Sequence, residues 1–233
     1  MASTSPAEPA FTRKRNLALA AALVVSATLA ILAAPWALAT PALAFVFKPL
    51  ATLCVIAYAA GRGRGRGEPA RGWVLAGLWL SLAGDVALLW PKEGFLPGLV
   101  SFLLAHLAYL VAFTRVQRFA AWWPAFVAYA LVAGLILARL WPGVPAALQV
   151  PVIAYVACLA SMAAQAAVVW RRGDALDKRR SAVLAVGGAL FVASDAILAT
   201  NKFAGPVPMA SLWILSSYWA AQWCIASWLA PKR

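Results

Sequence analysis

Eight apolar runs divide this chain, at Asn16–Pro35, Trp36–Ala60, Gly72–Trp90, Phe95–Thr114, Ala120–Leu140, Ala147–Trp170, Ser181–Thr200 and Met209–Ala230. A helix needs roughly 17–25 residues of this kind to cross a bilayer. Short polar segments separate the runs and hold nearly all the charge. The pattern predicts an all-α polytopic membrane protein, a bundle of eight transmembrane helices forming one domain over residues 16–233. Residues 1–15, rich in Ser, Pro and Ala at their start, read as a disordered cytoplasmic tail. The first run also has the look of a signal peptide, but its removal would break the charge pattern that follows.

Composition sharpens this reading. The chain has 233 residues, 64% hydrophobic and only 12% charged, with mean hydropathy +0.82. A soluble domain carries roughly 45–50% apolar residues and about 25% charged ones. A net charge of +13 raises the question of nucleic acid, but the positions of the cations answer it. Of the twenty Lys and Arg residues, all but Lys48, Lys92, Arg139 and Lys202 fall in the tails and in every second loop. By the positive-inside rule both termini are cytoplasmic, as expected for a multi-pass protein of the bacterial inner (cell) membrane. Trp36, Trp90 and Trp141 mark interfaces. The loop with Arg62, Arg64 and Arg66 is expected to be flexible and solvated. Cys54, Cys158 and Cys224 fall inside spans, at spacings that fit neither a disulfide framework nor a zinc site.

Only seven acidic residues exist, and five lie in the tail or in loops. Asp85 and Asp195 lie within spans. A carboxylate at membrane depth costs roughly 2.5–3.5 kcal/mol on insertion scales, which makes it a functional-site candidate. One such residue can simply join helices by hydrogen bonds; two at matching depth argue for a site. The third and seventh spans both run outward, placing each aspartate about 7–8 Å below the outer surface at 1.5 Å per residue. His106, the single histidine, is expected about 16 Å down the fourth span. Lys48 falls in the outer half or middle of the second span, and Tyr218 and Gln222 in the middle of the eighth. Helical spacing pairs Ser81 with Asp85, Asp195 with Lys202, His106 with Tyr109, and Tyr218 with Gln222. Lys48-Pro49 is expected to interrupt the second helix.

A catalytic zinc normally takes three protein ligands, and no ligand-spaced motif is present, so neither metal nor cofactor is expected. There is no Gly-x-Ser-x-Gly elbow and no His-Glu-x-x-His. A carboxylate pair with cationic and hydroxyl partners remains, which suits acid–base hydrolysis through a cationic transition state. The rival reading is a proton- or cation-coupled transporter using the same aspartates. No internal repeat is evident, so an inverted-repeat transporter gains no support.

Four sets of segments carry a family resemblance. They are Phe47-Lys48-Pro49-Leu50; Leu82-Ala83-Gly84-Asp85 with Phe102-Leu103-Leu104-Ala105-His106-Leu107-Ala108-Tyr109; Ser194-Asp195 through Asn201-Lys202-Phe203; and Ser217-Tyr218-Trp219-Ala220-Ala221-Gln222. Together, in order, they resemble the signature segments of the YhhN family, whose characterised members are lysoplasmalogenases. The resemblance implies a membrane hydrolase that cleaves the vinyl ether bond of lysoplasmalogens, releasing a fatty aldehyde and glycerophosphoethanolamine or glycerophosphocholine. It maps the family's two aspartates onto Asp85 and Asp195. Substrate contacts are then expected from Ser81, Lys48, His106, Tyr109, Asn201, Lys202, Tyr218 and Gln222, with Lys48 and Lys202 as candidates for the lipid phosphate. Enol ethers hydrolyse by protonation at carbon, capture of the oxocarbenium ion by water, and collapse of the hemiacetal. One aspartate would be the acid and the other an ionised partner, in an order left open. The expected partners are a lysophospholipid and the bilayer.

Overall fold

The computed structural model describes residues 10–63, 70–90, 92–173 and 177–230. Among these there are helices and no strands. The helices are α1 (Ala10–Leu32), α2 (Pro41–Ala60), α3 (Arg71–Ala87), α4 (Phe95–Thr114), α5 (Trp123–Leu140, continued by a 3-10 turn over Trp141–Gly143), α6 (Ala146–Arg172), α7 (Lys178–Phe203) and α8 (Ala210–Trp228). Each expected run holds one helix. Arg64 and Arg66, with most of the tail, lie outside the described residues.

Two starts depart from expectation. α1 begins at Ala10, six residues before Asn16, so Phe11 to Arg15 are helical. Arg and Lys are good helix formers, and extending the helix satisfies backbone groups where the chain leaves the bilayer. α2 begins later, at Pro41 rather than Trp36, with proline in the first turn where its missing N–H is not needed. Nor does Lys48-Pro49 interrupt α2, which runs through Pro49. Membrane helices tolerate such a proline when neighbouring helices satisfy the carbonyl it frees.

Six helices are long and apolar enough to cross a membrane, namely α1, α2, α4, α6, α7 and α5 with its 3-10 turn. α3 has only 17 residues, and α8 interrupts its apolar residues with Ser, Tyr, Gln and Trp. These two less lipid-like helices carry Asp85 and the Tyr218/Gln222 pair. The chain is thus an integral, multi-pass helical membrane protein whose α3 and α8 hold polar side chains in its interior.

α2, α3, α4, α6, α7 and α8 form a closed ring, each packed on the next, with α8 returning to α2. α1 lies outside it against α2 and α8, and α5 lies outside against α6 and the edge of α7. The peripheral position of α5 is plain in its sequence: only Ala125 and Leu140 are buried, while Leu135 is 72% exposed. In a bilayer such a face meets lipid tails. Inside the ring, Gly77 and Gly84 let α3 approach α4 closely. A Cβ at Gly77 would lie 2.3 Å from the Tyr109 ring, and one at Gly84 would lie 2.6 Å from the Phe102 ring. These two glycines seat the α4 side chains beside the polar layer.

Candidate active site

Asp85 ends a face of α3 that is wholly enclosed, and the residue is 1% exposed. Lys48 and Thr52 stand one turn apart on α2 and both reach it. Lys48 Nζ lies 3.4 Å from Asp85 Oδ1 and donates to the Asp85 carbonyl oxygen at 3.2 Å. Thr52 Oγ1 donates to Asp85 Oδ2 at 2.6 Å, and the Tyr218 hydroxyl, from α8, donates to the same oxygen at 2.7 Å. Trp219 Nε1 in turn donates to Thr52 Oγ1 at 3.1 Å. A carboxylate offers about four lone-pair directions. Three side-chain donors fill most of Asp85's capacity.

Asp195 lies in a different setting. It opens onto a cavity of about 100 Å³ between the N-terminal parts of α4 and α6 and the C-terminal parts of α5 and α7. Leu99, Phe102, Ile136, Leu140, Val152 and Val192 are typical of the wall. Among the described residues, only Tyr155, Asp195 and Lys202 bring polar side chains to it. Asp195 has one hydrogen-bond partner, the Tyr155 hydroxyl from α6, which donates to Oδ2 at 2.5 Å. Lys202 stands seven residues further along α7, about 10 Å nearer the C-terminal end. Its Nζ lies 4.6 Å from the centre of the Phe95 ring, a cation–π contact at the rim.

No hydrogen bond or ion pair among the described residues joins the two carboxylates. Aromatic rings stand between their settings. Tyr218 lies edge-on to Phe102 (5.8 Å) and to Phe191 (5.6 Å), and His106 lies edge-on to Phe191 (4.6 Å) and to Tyr155 (5.3 Å). Beneath Asp85, Tyr109 donates to Gln222 Oε1 at 2.6 Å, with Ser81 Oγ 3.5 Å from the Tyr109 hydroxyl.

The residues singled out in the sequence therefore separate into groups. Lys48, Ser81, Asp85, Tyr109, Tyr218 and Gln222 form the sealed side, and Asp195 and Lys202 belong to the cavity. His106 sits between them, fully buried. Lys48, 9% exposed and paired with Asp85, does not reach the cavity. Asn201 is exposed, and its Oδ1 accepts from the backbone N–H of Val207 at 2.9 Å, pinning the turn between α7 and α8. Asp195 lies about 12 Å from the C-terminal end of its helix, further than expected because α7 continues past Thr200 to Phe203.

Three residues escaped the sequence reading: Thr52, Tyr155 and Trp219. Thr52 had a usable signal, since it follows Lys48 by one helical turn and so shares its face. Tyr155 is the one tyrosine of its run, at a depth that topology matches to Asp195. Trp219 is one of twelve tryptophans, and its only signal was its place in the Ser217–Gln222 segment.

Known proteins resemble this chain over most of its length. The profile of the YhhN family matches residues 43–229, from α2 through α8. Human lysoplasmalogenase TMEM86A is 34% identical over 180 residues, 76% of this chain and 73% of its own. Lysoplasmalogenase TMEM86B of Sus scrofa is 34% identical over 181 residues, 75% of this chain and 69% of its own. A lysoplasmalogenase of Mycobacterium bovis is 32% identical over 142 residues, 57% of this chain and 51% of its own. No solved structure matches. The matched stretch contains both carboxylates, the cavity and every helix of the closed ring, and the chain belongs to the YhhN family.

Proposed function

We propose that this protein is a lysoplasmalogenase, hydrolysing the vinyl ether bond of a lysoplasmalogen to a fatty aldehyde and glycerophosphoethanolamine or glycerophosphocholine. The names of its relatives support the reaction, and one observation carries the mechanism. Asp195, with a single tyrosine partner, faces an apolar cavity about 12 Å below the outer end of α7. That depth suits the bond just beneath a phospholipid headgroup. Lys202 at the rim suits the phosphate as a point charge. The aliphatic and aromatic walls suit the alkenyl chain.

Asp195 donates the proton to the alkenyl carbon next to the ether-bearing carbon, and Tyr155 aims its carboxyl. The resulting oxocarbenium ion is captured by water, and the hemiacetal collapses to the products. Asp85 acts from behind the Phe102 wall. Its carboxylate, fixed by Thr52, Tyr218 and Lys48, adds negative charge beside the cation and holds Tyr218 against Phe102. We place the protein in a bacterial inner membrane with both termini in the cytoplasm and the cavity facing the outer leaflet.

Purified protein in detergent should release aldehyde from a 1-alkenyl lysophospholipid. A transporter would need a sealed vesicle, so activity in micelles separates the two. For orientation, Lys92→Cys and Arg115→Cys in a background lacking the native cysteines should be labelled from opposite sides of the membrane. Labelling from the same side would overturn the assignment of the cavity to the outer leaflet.

A further inference from the structure

Resting on the hydrolase reading above, we propose that His106 binds the attacking water and takes its proton as the water adds to the oxocarbenium carbon. Phe95, Leu99 and Phe102 line the cavity along one face of α4. The next position on that face, one turn deeper, is His106. It is 0% exposed, and neither ring nitrogen has a hydrogen-bond partner among the described residues. Tyr155, itself a cavity residue, lies edge-on against the imidazole, and Phe191 closes the opposite side.

Packing alone does not account for an imidazole here. A buried polar group without a partner costs about 1–3 kcal/mol, and a leucine or phenylalanine at this place would avoid that cost. A neutral imidazole offers one donor and one acceptor, which is what a single water needs in an otherwise apolar chamber. The Tyr155 ring that packs on the imidazole carries the hydroxyl that donates to Asp195, so one cavity residue touches both groups.

The steps then balance. The Asp195 carboxyl gives its proton to the alkenyl carbon, and the C=C electron pair forms that C–H bond. The water oxygen bonds to the oxocarbenium carbon as one water proton passes to His106. On collapse, the hemiacetal hydroxyl proton returns to Asp195, the C–O bond to glycerol breaks, and the glycerol oxygen takes the proton from His106. One vinyl ether and one water give one aldehyde and one alcohol, and both side chains are restored.

The test uses deuterium. In D2O the wild-type protein should place deuterium only in the aldehyde, because water captures the cation as soon as it forms. In His106→Leu and His106→Gln the cation is captured slowly, so Asp195 takes a proton back. Turnover should fall roughly 10²–10⁴-fold, and unreacted lysoplasmalogen recovered from the reaction should carry deuterium at the protonated alkenyl carbon. The glutamine variant keeps a polar group in the site and serves where the leucine variant does not fold. Wild-type turnover in either folded variant overturns the assignment, as does slow turnover without deuterium in the recovered substrate. Aldehyde release by the wild type is measured alongside, so failure of the hydrolase reading and failure of the His106 role are separate results.

Discussion

Asp85 and Asp195 each lie in the C-terminal half of an apolar helix, yet their surroundings are opposite. Asp85 is enclosed, pairs with Lys48 and accepts from two hydroxyls. Asp195 has one tyrosine and an open side facing the cavity. The difference separates two uses of a carboxylate inside a membrane. With its lone pairs occupied and its charge matched, Asp85 ties three helices together. With lone pairs to spare and space beside it, Asp195 is placed to exchange a proton with a ligand. Sequence context looks alike in the two cases; the number of partners divides them.

The strongest way to break this comparison is through activity. Asp195→Asn keeps the shape and removes the acidic proton, so turnover should fall by at least the roughly 10²–10⁴-fold that a positioned acid supplies. Thermal stability in detergent should stay at the wild-type level, because Asp195 has no buried cation to abandon. An Asp195→Asn enzyme within tenfold of wild type would remove the acid from the mechanism.

Next comes stability, where the order reverses. Asp85→Asn leaves the Lys48 ammonium buried beside a neutral amide, and removing one partner of a buried pair costs about 3–5 kcal/mol. A marked drop in thermal midpoint is expected for this variant and not for Asp195→Asn. Adding Lys48→Met to Asp85→Asn should recover much of the midpoint without restoring activity. Equal midpoints for the two single asparagine variants would make the surroundings of the two aspartates energetically equivalent, against the geometry.

A finer contrast lies in the tyrosines. Tyr155 is the sole donor to Asp195, whereas Tyr218 shares Asp85 with Thr52 and Lys48. Hydrogen bonds to charged groups contribute about 1.5–3 kcal/mol, so Tyr155→Phe should lower kcat by roughly ten- to a hundredfold. Tyr218→Phe should lower it less, since two partners still hold the carboxylate. Steady-state kinetics on the two purified variants decides the ranking.

Much of this was legible before any coordinates. The eight helices follow from run length, and the polar layer follows from counting residues inward from the loops. Side-chain partnership was not legible, because it depends on which helices become neighbours. The ring places α4 beside α6 and sets α5 outside, which brings His106 to Tyr155; a chain folded strictly in sequence order would put α5 between them. Lys48 shows the same limit. Its depth and charge suited a lipid phosphate equally well until α2 was seen to pack on α3 with Asp85 at the contact. Pro49 misled for a related reason: proline breaks helices in water, but in a packed membrane bundle the helix runs on.

The two lysines provide the smallest and most selective test. Lys202 is exposed at the rim with a ring beneath it, while Lys48 is buried against a carboxylate. Attraction of an anionic lipid group to a surface lysine is worth about 1 kcal/mol, so Lys202→Gln should raise KM about fivefold for a phospholipid substrate and leave kcat alone. The effect should shrink as salt rises, because an exposed charge is screened. It should vanish for a 1-alkenyl glycerol that lacks the phosphate. Lys48→Met should show none of these signatures and should instead lower the thermal midpoint, since it strands Asp85. A salt-dependent KM change at Lys48 with none at Lys202 would move the headgroup from the rim to the sealed side and exchange the roles given to the two carboxylates.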